Sequence, residues 1–113
     1  MHSWLTDRYR FGKVNILVNN ASKQYTCKDF ADTDLDKVEN LFHTNIIQMF
    51  AVTKYALPHM TRGDSIINTT STVTFRGSSS MVDYASSKGA IVGFTRSLAM
   101  QLVSKGIRVN AVA

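Results

Sequence analysis

The sequence predicts an α/β fold built on a doubly wound parallel sheet. Two kinds of segment predict it: short apolar runs rich in β-branched residues, and longer stretches with apolar residues at helical spacing. Their strict alternation is the third observation. Strand, helix, strand, helix, strand implies right-handed crossovers and parallel pairing, with helices expected on both faces of the sheet.

Val14-Asn15-Ile16-Leu17-Val18 is the first strand, a buried apolar run that stops at Asn19-Asn20. After a polar stretch containing Cys27 and Phe30, Thr33 offers a capping hydroxyl, and Asp34 and Asp36 place carboxylates in a first helical turn. Leu35, Val38, Leu41, Phe42, Ile46, Met49 and Phe50 then recur at helical spacing, in a region expected to be bent or divided. Pro58 and Gly63 close it. Ser65-Ile66-Ile67-Asn68-Thr69-Thr70 is the second strand. A loop with Gly77 and three serines leads to a helix from about Tyr84 to Ser104, striped by Ile91, Phe94, Leu98 and Leu102. Lys105 and Gly106 supply its stop, and Ile107 to Val112 is the third strand.

The 113 residues are 44% hydrophobic, an ordinary composition for one domain. The formal charge of +5 is spread along the chain without basic runs, which argues against a nucleic-acid binder and leaves an anionic small ligand as its best implication. Cys27 is the single cysteine, so no intrachain disulfide or cysteine-based metal cluster is possible, and a free thiol in a reducing compartment is expected. His43 and His59 lack the spacing, with carboxylates, of a metal site. No apolar run approaches the about 18 residues that span a bilayer. The opening Met1-His2-Ser3-Trp4-Leu5 lacks a signal-peptide core, so a cytoplasmic protein without membrane partners is expected.

Chemistry concentrates beyond the carboxyl ends of the strands, where ligands of such sheets bind. Tyr84 and Lys88 are four residues apart and share a helix face. A tyrosine phenol titrates near pH ~10, and a fixed positive charge beside it favours the phenolate. Such pairs also arise by chance. Ser71 ends the second strand thirteen positions before Tyr84, as either a backbone-bonding serine or a donor to a substrate oxygen. Asn45 interrupts the apolar stripe between Leu41 and Met49, as a core amide satisfied locally or as the anchor of a water in a proton relay. Asn19-Asn20 makes a turn or borders a ligand.

Together these residues resemble the short-chain dehydrogenase/reductase family, in wording closest to its glucose/ribitol dehydrogenase-like members. The matching pieces are Val18-Asn19-Asn20-Ala21-Ser22, Thr44-Asn45-Ile46, Ile66 to Ser71, Tyr84-Ala85-Ser86-Ser87-Lys88 and Gly106-Ile107-Arg108-Val109-Asn110. The resemblance implies the catalytic half of a Rossmann fold, three parallel strands with covering helices. It further implies an NAD- or NADP-dependent oxidoreductase that interconverts an alcohol, such as a sugar or polyol, and a carbonyl compound. Tyr84 would be the acid/base, Ser71 would hold the reacting oxygen, and Lys88 would lower the tyrosine pKa and bind the nicotinamide ribose. Asn45 would anchor the relay water, and Asn19 would lie beside the cofactor.

Ser22 departs from the glycine usual in the first motif, and no glycine-rich phosphate turn precedes a helix. The expected organisation is a poorly matching segment, residues 1–12, followed by a partial domain, residues 13–113. The alternative reading is an inactive truncated product or interaction module that retains the tetrad. For the complete protein the resemblance implies a homodimer or homotetramer formed by the two long helices. Phe50, Ile91, Phe94 and Leu98 are more apolar side chains than a small sheet needs to cover it.

Overall fold

In a computed structural model, residues 12–113 are described. The expected N-terminal segment lies outside the described residues except for Gly12. Three strands, β1 (Ile16–Asn19), β2 (Ser65–Thr69) and β3 (Arg108–Val112), form one parallel sheet in the order β1-β2-β3. Its register aligns Leu17, Ile66 and Val109 in one row and Asn19, Asn68 and Ala111 in another. All carboxyl ends therefore open on the same side.

Between β1 and β2 run α1 (Leu35–Phe42), a π-helical turn (His43–Ile47), α2 (Gln48–Ala56) and a 3₁₀ turn (Leu57–His59). The expected division of this helix falls at the π turn. There the Gln48 N–H reaches back to His43 O, so the Thr44 carbonyl loses its usual i+4 donor. The cap differs from expectation. Asp34, not Thr33, caps α1, its carboxylate accepting from Asp36 N at 3.0 Å. A preceding 3₁₀ turn over Phe30–Asp32 claims Thr33, whose hydroxyl donates to Phe30 O at 2.6 Å.

After β2 come a short helix, α3 (Val73–Arg76), and the long α4 (Val82–Leu102), ended by a 3₁₀ turn (Val103–Lys105) and Gly106. Gly106 has φ 70°, and a Cβ there would lie 2.6 Å from Arg62 Nη1. Both its backbone conformation and its surroundings demand glycine.

The helices cover one face only. Leu17, Ile66 and Val109 pack with Ala56, Met60, Leu98, Leu102 and Ile107. Ile46, Met49 and Ile91 make a second cluster with Phe42 and Phe94. Among the described residues the opposite face is bare: Ile16, Val18 and Val112 are 62%, 55% and 52% exposed. Helices expected on both faces are thus found on one, because side chains alternate along a strand and both crossovers pack against the row of Leu17.

Candidate active site

The carboxyl ends of β1 and β2 and the first turns of α4 surround a cavity of about 360 Å³, lined by Asn19, Thr44, Asn45, Gln48, Thr69 and Lys88 among others. Lys88 is buried, and its ammonium donates to Thr69 O at 3.1 Å. Removal from water penalises the charged form, so burial lowers its pKa below the ordinary 10.5. Its Nζ lies 5.6 Å from the centroid of the Tyr84 ring. The i, i+4 spacing has brought ammonium and ring together on one face of α4. Thr70 fixes the helix here, its hydroxyl donating to Lys88 O at 3.0 Å.

Asn45 is buried in the π turn, and its amide makes three hydrogen bonds. Oδ1 accepts from Lys23 N at 2.7 Å, while Nδ2 donates to Lys23 O at 2.9 Å and to Ser87 Oγ at 3.1 Å. Ser87 in turn donates to Tyr84 O at 2.8 Å. Asn45 therefore ties three elements together: the segment after β1, the π turn, and the turn of α4 that carries Tyr84. Both Nδ2 hydrogens are used, and the second lone pair of Oδ1 remains to accept from a water.

Asn19 borders the cavity, but its side chain turns into the fold. Nδ2 donates to Asn68 Oδ1 at 2.8 Å and to Thr53 Oγ1 at 3.2 Å. Asn68, fully buried, donates to Thr95 Oγ1 at 3.0 Å. This clasp across β1, β2, α2 and α4 partners the buried amide of Asn68 and the half-buried one of Asn19, and borders the cavity. Sequence reasoning missed Asn68, Thr53 and Thr95. The signal was available, because Asn68 alternates with Ile66 on an inward-facing row.

Ser71 sits between β2 and α3, its Oγ accepting from Val73 N at 3.3 Å rather than meeting Tyr84. Neither Ser71 nor Tyr84 is part of the cavity lining. The structure thus joins Asn19, Asn45 and Lys88 around one space, sets Tyr84 beside Lys88, and leaves Ser71 engaged locally. Among the described residues no group of His, Cys, Asp and Glu could hold a metal.

A cavity of mixed polar and apolar lining at the carboxyl ends of parallel strands, with a buried ammonium at its wall, suits the ribose end of a dinucleotide. An ammonium has three donor hydrogens. One goes to Thr69 O, which leaves two for vicinal hydroxyls. The pyrophosphate has no cradle of this kind, since none of the glycines of the chain forms a glycine-rich turn before a helix.

Comparisons with known proteins agree. The family model for short chain dehydrogenase matches residues 4–113, beginning upstream of the boundary expected at Lys13. The chain is 50% identical over 103 residues to NADPH-dependent aldehyde reductase 1, chloroplastic, of Arabidopsis thaliana, covering 91% of this chain and 36% of the relative. It is 50% identical, again over 103 residues, to glucose and ribitol dehydrogenase of Daucus carota, covering 91% of this chain and 35% of the relative. A crystal structure of 3-ketoacyl-(acyl-carrier-protein) reductase from Brucella melitensis complexed with NADH superposes with TM-score 0.89 at 26% identity, over 97% of this chain and 48% of that one. The chain thus spans little more than a third of the length of these curated relatives. With motifs, sheet and family model in accord, the chain belongs to the short chain dehydrogenase family.

Proposed function

We propose that this chain is the catalytic portion of an NAD(P)-dependent oxidoreductase that interconverts an alcohol, with sugars and polyols the first candidates, and a carbonyl compound. The observation that carries the reading is the buried Lys88 ammonium, 5.6 Å from the Tyr84 ring centroid and open to the cavity bordered by Asn19 and Asn45. Bound nicotinamide supplies the hydride chemistry. This chain supplies proton handling and geometry. Tyr84 exchanges a proton with the substrate oxygen, and Ser71 turns from Val73 N to hold that oxygen once substrate is present. Lys88 keeps a positive charge beside the phenol and holds the ribose hydroxyls, and Asn45 anchors the water that connects Lys88 to solvent.

Relatives named for NADPH or solved with NADH support either dinucleotide. The partition into residues 1–12 and a partial domain, residues 13–113, belongs to this reading. A cytoplasmic location is part of the same proposal. Among the described residues no helix is long and apolar enough to cross a membrane, while one relative is named chloroplastic. A homodimer or homotetramer is supported by the apolar groove of about 690 Å³ lined by Ile46, Phe50, Phe94 and Leu98, where the Phe50 and Phe94 rings meet edge-on at 4.7 Å. Ile91, once grouped with these residues, is core.

The lack of a pyrophosphate cradle favours a second statement: by itself this chain binds the dinucleotide weakly or not at all and does not turn over. Titration with NADH and NADPH followed by fluorescence, beside a turnover assay on sugars and simple alcohols, tests it. Micromolar binding with substrate-dependent oxidation would contradict it.

A further inference from the structure

Charge and exposed apolar surface are sorted to opposite ends of this molecule. Five of its eight carboxylates, Asp29, Asp32, Asp34, Asp36 and Glu39, fall in one segment beyond the carboxyl end of β1, against Lys28 and Lys37 nearby. The same segment displays Phe30 and Leu35, 71% and 75% exposed. At the amino ends of the strands lies a groove of about 560 Å³, its walls carrying Lys54, Arg62 and Lys105 and its floor Leu57, Met60 and Ile107. Among the described residues no carboxylate lines it. Asp64, in the turn leading into β2, is buried and already paired with Lys13 at 3.5 Å. Arg62 is held in place by donating to Ser104 O at 3.0 Å.

The two patches cannot meet within one chain. The first turn of α4 (Val82, Asp83 and Ser86) shares a cavity with Phe30 and Leu35, whereas Lys105 follows the other end of that helix. Twenty-one residues at ~1.5 Å rise place them roughly 30 Å apart. Each patch supplies what the other lacks: exposed acidic residues beside exposed apolar side chains, and basic residues around an apolar floor.

We propose that the Phe30/Leu35 knob of one copy docks in the Lys54/Arg62/Lys105 groove of a second copy. The contact is heterologous, so it builds open head-to-tail chains and not a closed dimer. The basic groove shares Lys54 and Leu57 with the groove around Phe50, but its contact is weakened by salt, whereas association through the apolar Phe50 groove or the bare sheet face is not.

The test is sedimentation velocity over a concentration series, at about 0.01 M and about 1 M salt, where the screening length falls from about 30 Å to about 3 Å. Two charge-reversed variants accompany it, Lys105→Glu, which lies outside the Phe50 groove, and Asp32→Lys/Asp36→Lys. All three side chains are exposed, so each variant should still unfold cooperatively, with a midpoint lowered slightly by the charges reversed at helix ends. The proposal expects association of the parent at low salt and its loss at high salt. It expects association at least tenfold weaker for each variant alone, and recovery in their equimolar mixture, where the acidic knob of one variant again meets the unaltered basic groove of the other. A parent monomeric throughout, variants that associate like the parent, or a mixture that fails to recover would each overturn it. So would saturable binding of inorganic phosphate or an acidic peptide at the groove without self-association.

Discussion

Asn68 is the fully buried centre of the clasp that borders the cavity, and Asn68→Ala measures its contribution. The substitution removes two hydrogen bonds, the 2.8 Å bond from Asn19 and the 3.0 Å bond to Thr95. At a net of about 1 kcal/mol each, their loss costs about 2 kcal/mol. The stranding penalty is small. Asn19 Nδ2 keeps Thr53 Oγ1 at 3.2 Å, and Thr95 still donates to Ile91 O at 2.8 Å. The small cavity left by the amide adds about 1 kcal/mol. The expected total of about 3 kcal/mol is a large part of the 5–15 kcal/mol that typically holds a domain folded. Thr95→Val breaks one of the two bonds at constant shape, and a double-mutant cycle with Asn68→Ala should show a coupling of about 1 kcal/mol. Urea unfolding followed by circular dichroism is the assay. A cost under about 1 kcal/mol for Asn68→Ala, with no coupling to Thr95, would refute the clasp.

Lys88 gives a pH signature. Below its lowered pKa it is charged in both the folded and the unfolded chain, and its burial is a constant penalty. Between that pKa and 10.5 the unfolded chain keeps the proton that the folded chain has released, so stability rises with pH across the window. Subtracting the stability curve of Lys88→Met isolates the slope, and a flat difference between neutral pH and 10.5 would contradict it. Gly106→Ala should destabilise the chain by about 2 kcal/mol through positive φ and the clash with Arg62. Adding Arg62→Ala should recover the clash but leave about 1 kcal/mol of backbone strain, and unfolding midpoints that do not move would count against both causes.

Spacing made the strands, the long helices and the Tyr84–Lys88 face legible, because i, i+4 geometry on a helix is local. Asn45 was visible as an amide in the apolar stripe of Leu41 and Met49. Its partner was not, since Lys23 offers backbone groups from an irregular segment twenty-two residues away. Asn68 was passed over inside a β-branched run, although its alternation with the buried Ile66 marked it as inward-facing. Thr33 and Asp34 are both good caps, and only the 3₁₀ turn before them decided between them. The bare face could not be read at all. Ile16 and Val18 are as apolar as Leu17, and whether helices cover both rows depends on how the crossovers run, not on the strand itself.

The central claim is that Tyr84 carries the proton in a dehydrogenase built around this cavity. A chimera in which this chain replaces the matching 103-residue segment of the carrot relative supplies the rest of that relative's length, with glucose and ribitol as substrates. Turnover by the chimera with Tyr84, and a fall in kcat of about 10²- to 10⁴-fold in Tyr84→Phe with unfolding unchanged, is the predicted result. Near-parental kcat in Tyr84→Phe would contradict the assignment.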